Sequence, residues 1–459
     1  MPDDKTIDPV ESPRNSNWFL IIIAAKRGLT FLQSQPQVDG DRIGAFGHSM
    51  GGKLTAMLAG ADKRIKAGVP SCGGSGEAPP RIMNRPGAGV RRPKSDLYHK
   101  TIDDARYIEQ IEVPMLYVGP QNDFNGILDN MYANWTRMPS KTVAYSIGPH
   151  MNHRAVAEHL FPTLLWFEDH LKGTFDFPKT PEVSLTIQDG VPLVTLSPDR
   201  SDEIARVVIY YSQDTHILTR FWRTAAQTQT GGQWQSQLGK VSSDRPLFVM
   251  ANVYYPLKHK LVGYPWMRTA PATFGVSSQM RTLTAGELSA GEVPVQVVQQ
   301  RMIQDAFDYQ DWYRLDWRNP TWWSAYTRKI KDPSYRGPVG ATLMLDVRVE
   351  TDTTIYLELQ DNNWEAFPGE PKGQYYASVD IRGATAWQTV GISIADFQPV
   401  NASTKTPLKG WQHVTELGIR GRIRVDVDGK QVEMGDQWKA PREFRNLRWK
   451  GGVYPKSTR

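Results

Sequence analysis

The chain has 459 residues, of which 40% are hydrophobic and 22% are charged, and these proportions are ordinary for folded domains. Fifteen Trp, eighteen Tyr and fifteen Phe exclude a disordered chain, because disordered sequences are poor in aromatic residues. The 54 Lys and Arg against 48 Asp and Glu leave a net charge of only +6, which indicates no nucleic-acid partner.

The sequence predicts no membrane span, since no apolar stretch approaches the roughly 20 residues that a spanning helix needs. The longest such run is Trp18–Ala25, and we therefore expect a soluble protein. The acidic start of the chain lacks the basic segment of a signal peptide; the compartment stays open, and export of a longer form is compatible with the sequence. Cys72 is the only cysteine, so we expect no intrachain disulfide and no cysteine-based zinc site.

The first third of the chain alternates between helix and strand patterns. Residues 1–16 are predicted to be unstructured, and apolar residues at helical spacing predict a helix over 17–32. The further predicted elements are strands at 42–46, 65–70, 113–119 and 141–147 and helices at 53–59, 102–111 and 162–171. This alternation predicts an α/β fold, with a parallel sheet and helices on both faces.

Helix patterns almost vanish after residue 173, and alternating strands separated by turns take over. The strand spacing predicts two all-β sandwich domains, the second of jelly-roll type. Together with the α/β part this gives three domains, as expected at roughly 150 residues per domain.

A short motif carries the first chemical signal. Gly47–Gly51 reads G-H-S-M-G, and a G-x-S-x-G sequence between a strand and a helix is typical of a nucleophile elbow with a serine on a strained turn. We expect added bulk at Gly47 or Gly51 to clash with neighbouring backbone. The helix that begins at Met50 directs N–H groups towards an oxyanion, so the Met50 amide is the predicted oxyanion donor. The alternative is a glycine-rich turn with an incidental serine.

A serine nucleophile needs a base, and the base needs a carboxylate that orients it. Asp123 follows one predicted strand, and His150 and His153 follow the next, where loops at the carboxyl ends of parallel strands meet. His153 lies nearer the following helix and is the favoured base, with His150 as the alternative base. Asp123 could instead close an Asx turn without a catalytic role.

Residues 41–53, DRIGAFGHSMGGK, resemble the nucleophile-elbow region of the α/β-hydrolase superfamily, in particular of dienelactone-hydrolase-like and acetylxylan-esterase-like bacterial proteins. Residues 113–123 and 141–171 are similar to the acid-bearing and histidine-bearing ends of that domain. The resemblance covers 17–173 and implies a partial α/β-hydrolase domain.

This resemblance implies hydrolysis of a carboxylic ester without a cofactor or a metal. Ser49 would be the nucleophile, His153 the general base and acid, and Asp123 its orienter. The implied substrate is a small-molecule ester or an acyl group on a polysaccharide.

Domains of this family normally carry several strands before the elbow, including a loop that supplies a second oxyanion N–H. Only 48 residues precede Ser49, so we expect the N-terminal part of the domain to be missing. Losing one oxyanion donor would cost about 3 kcal/mol of transition-state stabilisation. The explanations are a truncated form of a longer hydrolase, a homo-oligomer that completes the exposed sheet edge, and a degenerate domain kept for its appended modules.

The appended domains also carry resemblances. Residues 182–270 resemble an Ig-like sandwich seen after some secreted bacterial hydrolase domains, and 290–459 resemble galactose-binding-like sandwiches, a class that includes many carbohydrate-binding modules. The segments that carry these resemblances are Ile209–Ser212, Arg220–Arg223, Gly232–Trp234, Trp387–Val390, Asp396–Phe397 and Gly410–Gly418.

An aromatic run in the last block is the candidate sugar platform, because aromatic rings stack on the apolar faces of sugars. The predicted stacking residues are Trp312, Trp317, Trp322 and Trp323. The alternative is a strand or linker packed on a neighbouring domain.

Two other functions stay open at this point. The same Ser-His-Asp arrangement supports a prolyl-oligopeptidase-like peptidase. The chain could also be a catalytically impaired protein whose role is carbohydrate binding by the C-terminal sandwich.

Overall fold

The computed structural model describes residues 12–76, 96–259, 270–314, 323–404, 406–435 and 442–454. Contacts divide these residues into two compact units. The first unit holds the described residues up to 294 except 219–223, and the second holds 219–223 and the described residues from 295 onward. In the described part of the chain, no helix is both long and apolar enough to cross a membrane.

The described helices are mostly short. In chain order they are α1 (Asn17–Gln33), α2 (Met50–Ala61), α3 (Asp96–Thr101), α4 (Asp104–Ile108), α5 (Leu128–Trp135), α6 (Ala157–Leu160), α7 (Pro162–Phe167) and α8 (Ala285–Ala290). A π-helical turn, Glu168–Lys172, follows α7, and 3-10 turns lie at Pro13–Asn15, Lys329–Lys331, Asn363–Glu365 and Ile394–Asp396.

The start of the chain differs from its prediction. The Ser12 side chain caps the 3-10 turn Pro13–Asn15, and the Ser16 side chain accepts a hydrogen bond from the Trp18 amide at the start of α1. Serine caps of this kind satisfy amide groups that have no partner inside the helix. The expectation of no structure is therefore wrong for residues 12–16, and residues 1–11 lie outside the described part.

Strands dominate the rest. They are β1 (Ile43–His48), β2 (Ile65–Ser71), β3 (Met115–Pro120), β4 (Val143–Gly148), β5 (Glu182–Gln188), β6 (Val191–Ser197), β7 (Arg206–Ser212), β8 (Arg223–Ala225), β9 (Thr228–Thr230), β10 (Gln233–Gln237), β11 (Leu247–Pro256), β12 (Thr273–Ser277), β13 (Arg281–Leu283), β14 (Met302–Ala306), β15 (Tyr313–Arg314), β16 (Ser324–Thr327), β17 (Thr342–Val349), β18 (Thr353–Asp361), β19 (Gly373–Ile381), β20 (Ala384–Ile392), β21 (Gln398–Pro399), β22 (Val414–Arg420), β23 (Ile423–Val427), β24 (Lys430–Met434) and β25 (Arg442–Lys450).

Strands β1 to β4 pair in parallel, in chain order, which confirms the predicted parallel sheet. Side chains alternate between the two faces of a strand. Ala67 and Val69 of β2 share a core with Leu165 of α7. A Cβ on Gly68, on the opposite face, would crowd the Met115 side chain and lie 3.8 Å from Ala59 of α2. Helices therefore cover both faces of this sheet.

The parallel sheet continues into antiparallel strands from later in the chain. β12 pairs with β4 at Ser277 and Tyr145, and the order then runs β12-β11-β7-β8, with β13 also on β11. A four-stranded sheet, β5-β6-β10-β9, contributes to the same core. That core joins Val118 of β3, Val194 of β6 and Val249 of β11. It thus spans residues that the sequence analysis assigned to two domains.

The second unit is built from antiparallel sheets. One has the order β14-β25-β17-β20, the other β15-β16-β22-β18-β19-β21, and β23 and β24 form a hairpin. The alternate residues 343, 345 and 347 of β17 and 355, 357 and 359 of β18 are all fully or almost fully buried in one core. Side chains at alternate positions thus share one face of each strand, and on β18 the intervening Tyr356 and Glu358 are buried on the other face as well.

His159 joins the parallel and antiparallel halves of the first unit. Its Nδ1 lies 3.0 Å from Oγ of Ser146 on β4, and its Nε2 lies 3.1 Å from the hydroxyl of Tyr254 on β11. The side chain is fully buried, and this burial lowers its pKa to about 3. The imidazole is thus neutral in the folded protein.

Acid should weaken this junction. Below pH 6.5 the unfolded state takes up the His159 proton first, so the free energy of unfolding falls by about 1.4 kcal/mol per pH unit down to about pH 3. We expect the denaturant midpoint of His159→Gln to fall less steeply than that of wild type between pH 6.5 and 5. Equal slopes in wild type and His159→Gln would contradict a neutral, buried His159.

Candidate functional site

Ser49 sits between β1 and α2 on a turn of unusual backbone geometry. Its φ is +60° and its ψ is −117°, a conformation that costs a residue with a side chain on the order of 1–3 kcal/mol. The Ser49 amide donates to the carbonyl of Ser71, 2.8 Å away at the end of β2, and the Ser49 carbonyl accepts from the Lys53 amide. Hydrogen bonds on both sides therefore hold the strained turn.

The two glycines of the motif differ in what surrounds them. A Cβ on Gly47 would lie closer than van der Waals contact to the carbonyl carbon and oxygen of Gly51, whereas a Cβ on Gly51 would meet nothing within 4 Å. The expectation of a clash therefore holds for Gly47 and is wrong for Gly51. The elbow needs a glycine before the serine because the chain folds back on itself there.

His153 lies between Ser49 and Asp123. Its Nε2 is 2.8 Å from the Ser49 Oγ, and its Nδ1 is 3.1 Å from Oδ1 and 3.2 Å from Oδ2 of Asp123. A carboxylate at Nδ1 favours the tautomer with the proton on that atom, which leaves Nε2 free to accept the hydroxyl hydrogen of Ser49. Contacts of this kind are those that a serine nucleophile needs from a base and from an orienting carboxylate.

Asp123 is completely buried. Its Oδ1 accepts hydrogen bonds from the amides of Asn125 at 2.6 Å and Gly126 at 2.7 Å, besides the contact with His153. Hydrogen bonds from neighbouring amides stabilise a buried carboxylate without a counter-ion. The Asx turn that was considered as an alternative role for Asp123 thus coexists with its contact to His153.

The loop that carries Asp123 is hydrogen-bonded to the loop that carries His153. The Asn122 amide donates to the Met151 carbonyl at 3.1 Å, and the Phe124 amide donates to Oδ1 of Asn152 at 3.2 Å. The Asn122 side chain donates to the carbonyl of Ile217, which follows β7. The antiparallel half of the sheet therefore helps to hold the acid.

The structure places the two candidate bases differently. His150 is 97% buried, and its ring lies edge-on to Tyr210 of β7 with 5.9 Å between centroids. Its amide donates to Oε1 of Gln121. His153 is the histidine that reaches Ser49.

Three neighbours of this group were not singled out as site residues from the sequence. The Phe124 ring lies 4.3 Å from the His153 ring and the His48 ring 5.2 Å from it, measured between centroids. Nδ1 of His48 is 3.1 Å from the Ser71 Oγ. Cys72 lies directly after β2 and approaches Asp123. Adjacency to Ser49 or Asp123 in the sequence was the one signal for His48 and Phe124, whereas Cys72 gave none.

Backbone strain gathers around the site. Ser49, Cys72, His150 and His153 all have positive φ values, from +48° to +60°, a region that few residues other than glycine adopt. These residues follow β1, β2 and β4. Strained residues that persist together in this way often mark a site whose geometry is functional.

The predicted oxyanion donor, the Met50 amide, lies at the start of a helix. Met50 opens α2, so its amide lies at the positive end of a twelve-residue helix.

β1 is an edge strand, and no other strand of the described residues pairs along its second edge. The predicted loss of N-terminal strands and the predicted homo-oligomer stay predictions.

The predicted sugar platform is only partly described. Trp312 is 96% buried in the core of the second unit, and an enclosed ring of this kind has no face to offer a sugar. Trp323 is partly buried and stacks on Phe444, with 5.8 Å between centroids. Trp317 and Trp322 lie outside the described residues, and carbohydrate binding stays a prediction.

A comparison with protein families finds one match to this segment. Residues 26–82 match the model of the BAAT / Acyl-CoA thioester hydrolase C terminal family. The matched segment contains β1, Ser49 and α2. This similarity supports a hydrolase. A search of curated proteins found no match.

Several solved structures are similar in part. An acetyl xylan esterase from Paenibacillus sp. R4 is 18% identical with a TM-score of 0.32, over 37% of this chain and 58% of its own. Acetyl Xylan Esterase 1 from Thermoanaerobacterium sp. JW/SL YS485 is 15% identical with a TM-score of 0.30, over 36% and 57%. Est1E from Butyrivibrio proteoclasticus is 16% identical with a TM-score of 0.26, over 34% and 70%. The chain thus spans less than two thirds of either acetyl xylan esterase.

The glycine asymmetry gives a matched pair of variants. We expect Gly47→Ala to lower the free energy of unfolding by about 1–3 kcal/mol, because the new methyl group forces the elbow backbone apart. The free energy of unfolding of Gly51→Ala should stay within about 1 kcal/mol of the wild-type value, since the new Cβ enters open space and alanine favours a helix. Chemical denaturation of both variants measures this difference. Equal destabilisation by the two substitutions would contradict the geometry.

Proposed function

We propose that the protein is a serine hydrolase of carboxylic esters, with Ser49 as nucleophile, His153 as general base and acid, and Asp123 as its orienter. The observation that carries the proposal is the 2.8 Å distance between Oγ of Ser49 and Nε2 of His153. A histidine contacts serine hydroxyls in many proteins. Here the same imidazole also contacts a buried carboxylate, and the serine lies on a strained elbow.

The reaction follows from these contacts. As Oγ of Ser49 attacks the carbonyl carbon, Nε2 of His153 takes the hydroxyl proton, and Asp123 stabilises the imidazolium that forms. The Met50 amide donates to the oxyanion of the tetrahedral intermediate. When this intermediate collapses, His153 gives its proton to the leaving alkoxide, and an acyl-serine remains. A water molecule, activated by His153, then releases the acid and restores Ser49.

Two apolar side chains lie at the candidate site. Met50 follows the nucleophile in the sequence and is 43% exposed, and the Phe124 ring lies 4.3 Å from the His153 ring. We extend the proposal to acyl groups on polysaccharides, and the thioester family match makes a thioester the second substrate to test.

Removal of the nucleophile is the direct test. We expect Ser49→Ala to lower kcat on p-nitrophenyl acetate by at least about 10³-fold, because the acyl-serine can no longer form. The control is Ser184→Ala, which changes an exposed serine on β5 and should leave kcat unchanged. A short acyl thioester, acetylated xylan and an X-Pro anilide assayed in parallel separate ester, thioester and peptide hydrolysis.

Each result has a defined meaning. Turnover of the anilide but not of the esters would replace the esterase proposal with a peptidase. Equal rates for wild type and Ser49→Ala on every substrate would overturn the proposal.

A further inference from the structure

Cys72 lies where the chain leaves β2 and is completely buried. Its amide donates to the carbonyl of Val118 at 2.8 Å, and its carbonyl accepts from Nδ2 of Asn125 at 2.8 Å. These bonds tie the residue both to β3 and to the loop that carries Asp123. Cys72 is thereby fixed beside the acid of the proposed triad.

The side chain of Cys72 points at the same group. Its Sγ, a carboxylate oxygen of Asp123 and a ring nitrogen of His153 all lie within 4.8 Å of one another. Burial, followed by the negative charge of Asp123, raises the pKa of the Cys72 thiol far above its ordinary value. The sulfur therefore keeps its proton, and a neutral thiol beside a carboxylate can offer it a hydrogen-bond donor.

Other roles fit this environment less well. A thiol acts as a nucleophile or a metal ligand through its thiolate, and here the thiolate is disfavoured. A cation among the three ligand atoms would also displace the hydrogen bond between His153 and Asp123. Donation from the neutral thiol to the carboxylate leaves that bond intact.

We propose that Cys72 is a positioning residue, whose S–H group holds the carboxylate of Asp123 in the orientation that His153 needs. The inference rests on the proposed function of Ser49, His153 and Asp123. Oδ1 of Asp123 accepts from the amides of Asn125 and Gly126. The thiol would add a third donor from the residue that follows β2, a part of the chain separate from the loops that carry Asp123 and His153.

The direction of the expected change follows from charge. Without the thiol donor, the carboxylate of Asp123 is less stabilised and attracts the imidazolium more strongly. The midpoint of the His153 titration should then move to higher pH. Among the described residues, two further titratable groups lie near the pair: His48, whose ring is 5.2 Å from that of His153, and Tyr117, which interacts electrostatically with Asp123.

Three variants separate donation from packing. Cys72→Ala and Cys72→Gly remove the donor, and glycine also suits the φ of +51° at this position. Cys72→Ser keeps a donor of similar size. We expect the two donor-free variants to lose about tenfold in kcat on p-nitrophenyl acetate with little change in KM. The acid limb of their kcat profile should shift to higher pH, and Cys72→Ser should recover most of the loss.

A second readout does not depend on turnover. NMR titration of protein labelled with ¹³C at the histidine Cε1 atoms follows the His153 signal, which His153→Gln assigns. The expected result is an upward shift of its midpoint in Cys72→Ala and Cys72→Gly and a midpoint near the wild-type value in Cys72→Ser. An unchanged or lowered midpoint in the donor-free variants, or equal shifts in all three, would overturn the proposal. An inactive wild-type enzyme with the expected NMR shifts would instead overturn the esterase function alone.

Discussion

The buried carboxylate of Asp123 is the constraint on which the site depends. A carboxylate away from water must be met by donors, and its partners here come from different parts of the chain. The amide of Gly126 comes from its own loop and the imidazole of His153 from the loop after β4, while the sulfur of Cys72, just after β2, lies within 4.8 Å of the carboxylate. The ends of β2, β3 and β4 therefore lie close together around the carboxylate of Asp123.

The antiparallel strands contribute to the site as well as to the core. β12 extends the parallel sheet beyond β4, and a single core runs through both halves. From this side, Ile217 accepts a hydrogen bond from Asn122, and Tyr210 packs on His150. The loops that carry Asp123 and His153 are thus in contact with residues of the antiparallel half.

The sequence alone predicted much of the local structure. The G-x-S-x-G motif between an apolar strand and a helix of small residues located Ser49, and the strands before Asp123 and His153 placed them at one sheet edge. Period-two alternation predicted the later strands. Each of these signals depends on residues close together in the chain, such as the backbone crowding that demands glycine at position 47.

Tertiary structure decided the rest. Nothing in the sequence around Cys72 indicates that its sulfur meets Asp123, because the two residues are brought together by the pairing of β2 with β3. Trp312 belongs to an aromatic run that predicted a sugar platform, but its ring is enclosed in the core of the second unit. The sequence also did not predict that the parallel sheet continues into β12, β11 and β7, since the junction pairs β4 with β12, more than 100 residues later. Local periodicity and turn chemistry determine which segments form strands and where the serine elbow lies. Pairing between distant segments determines which side chains come into contact.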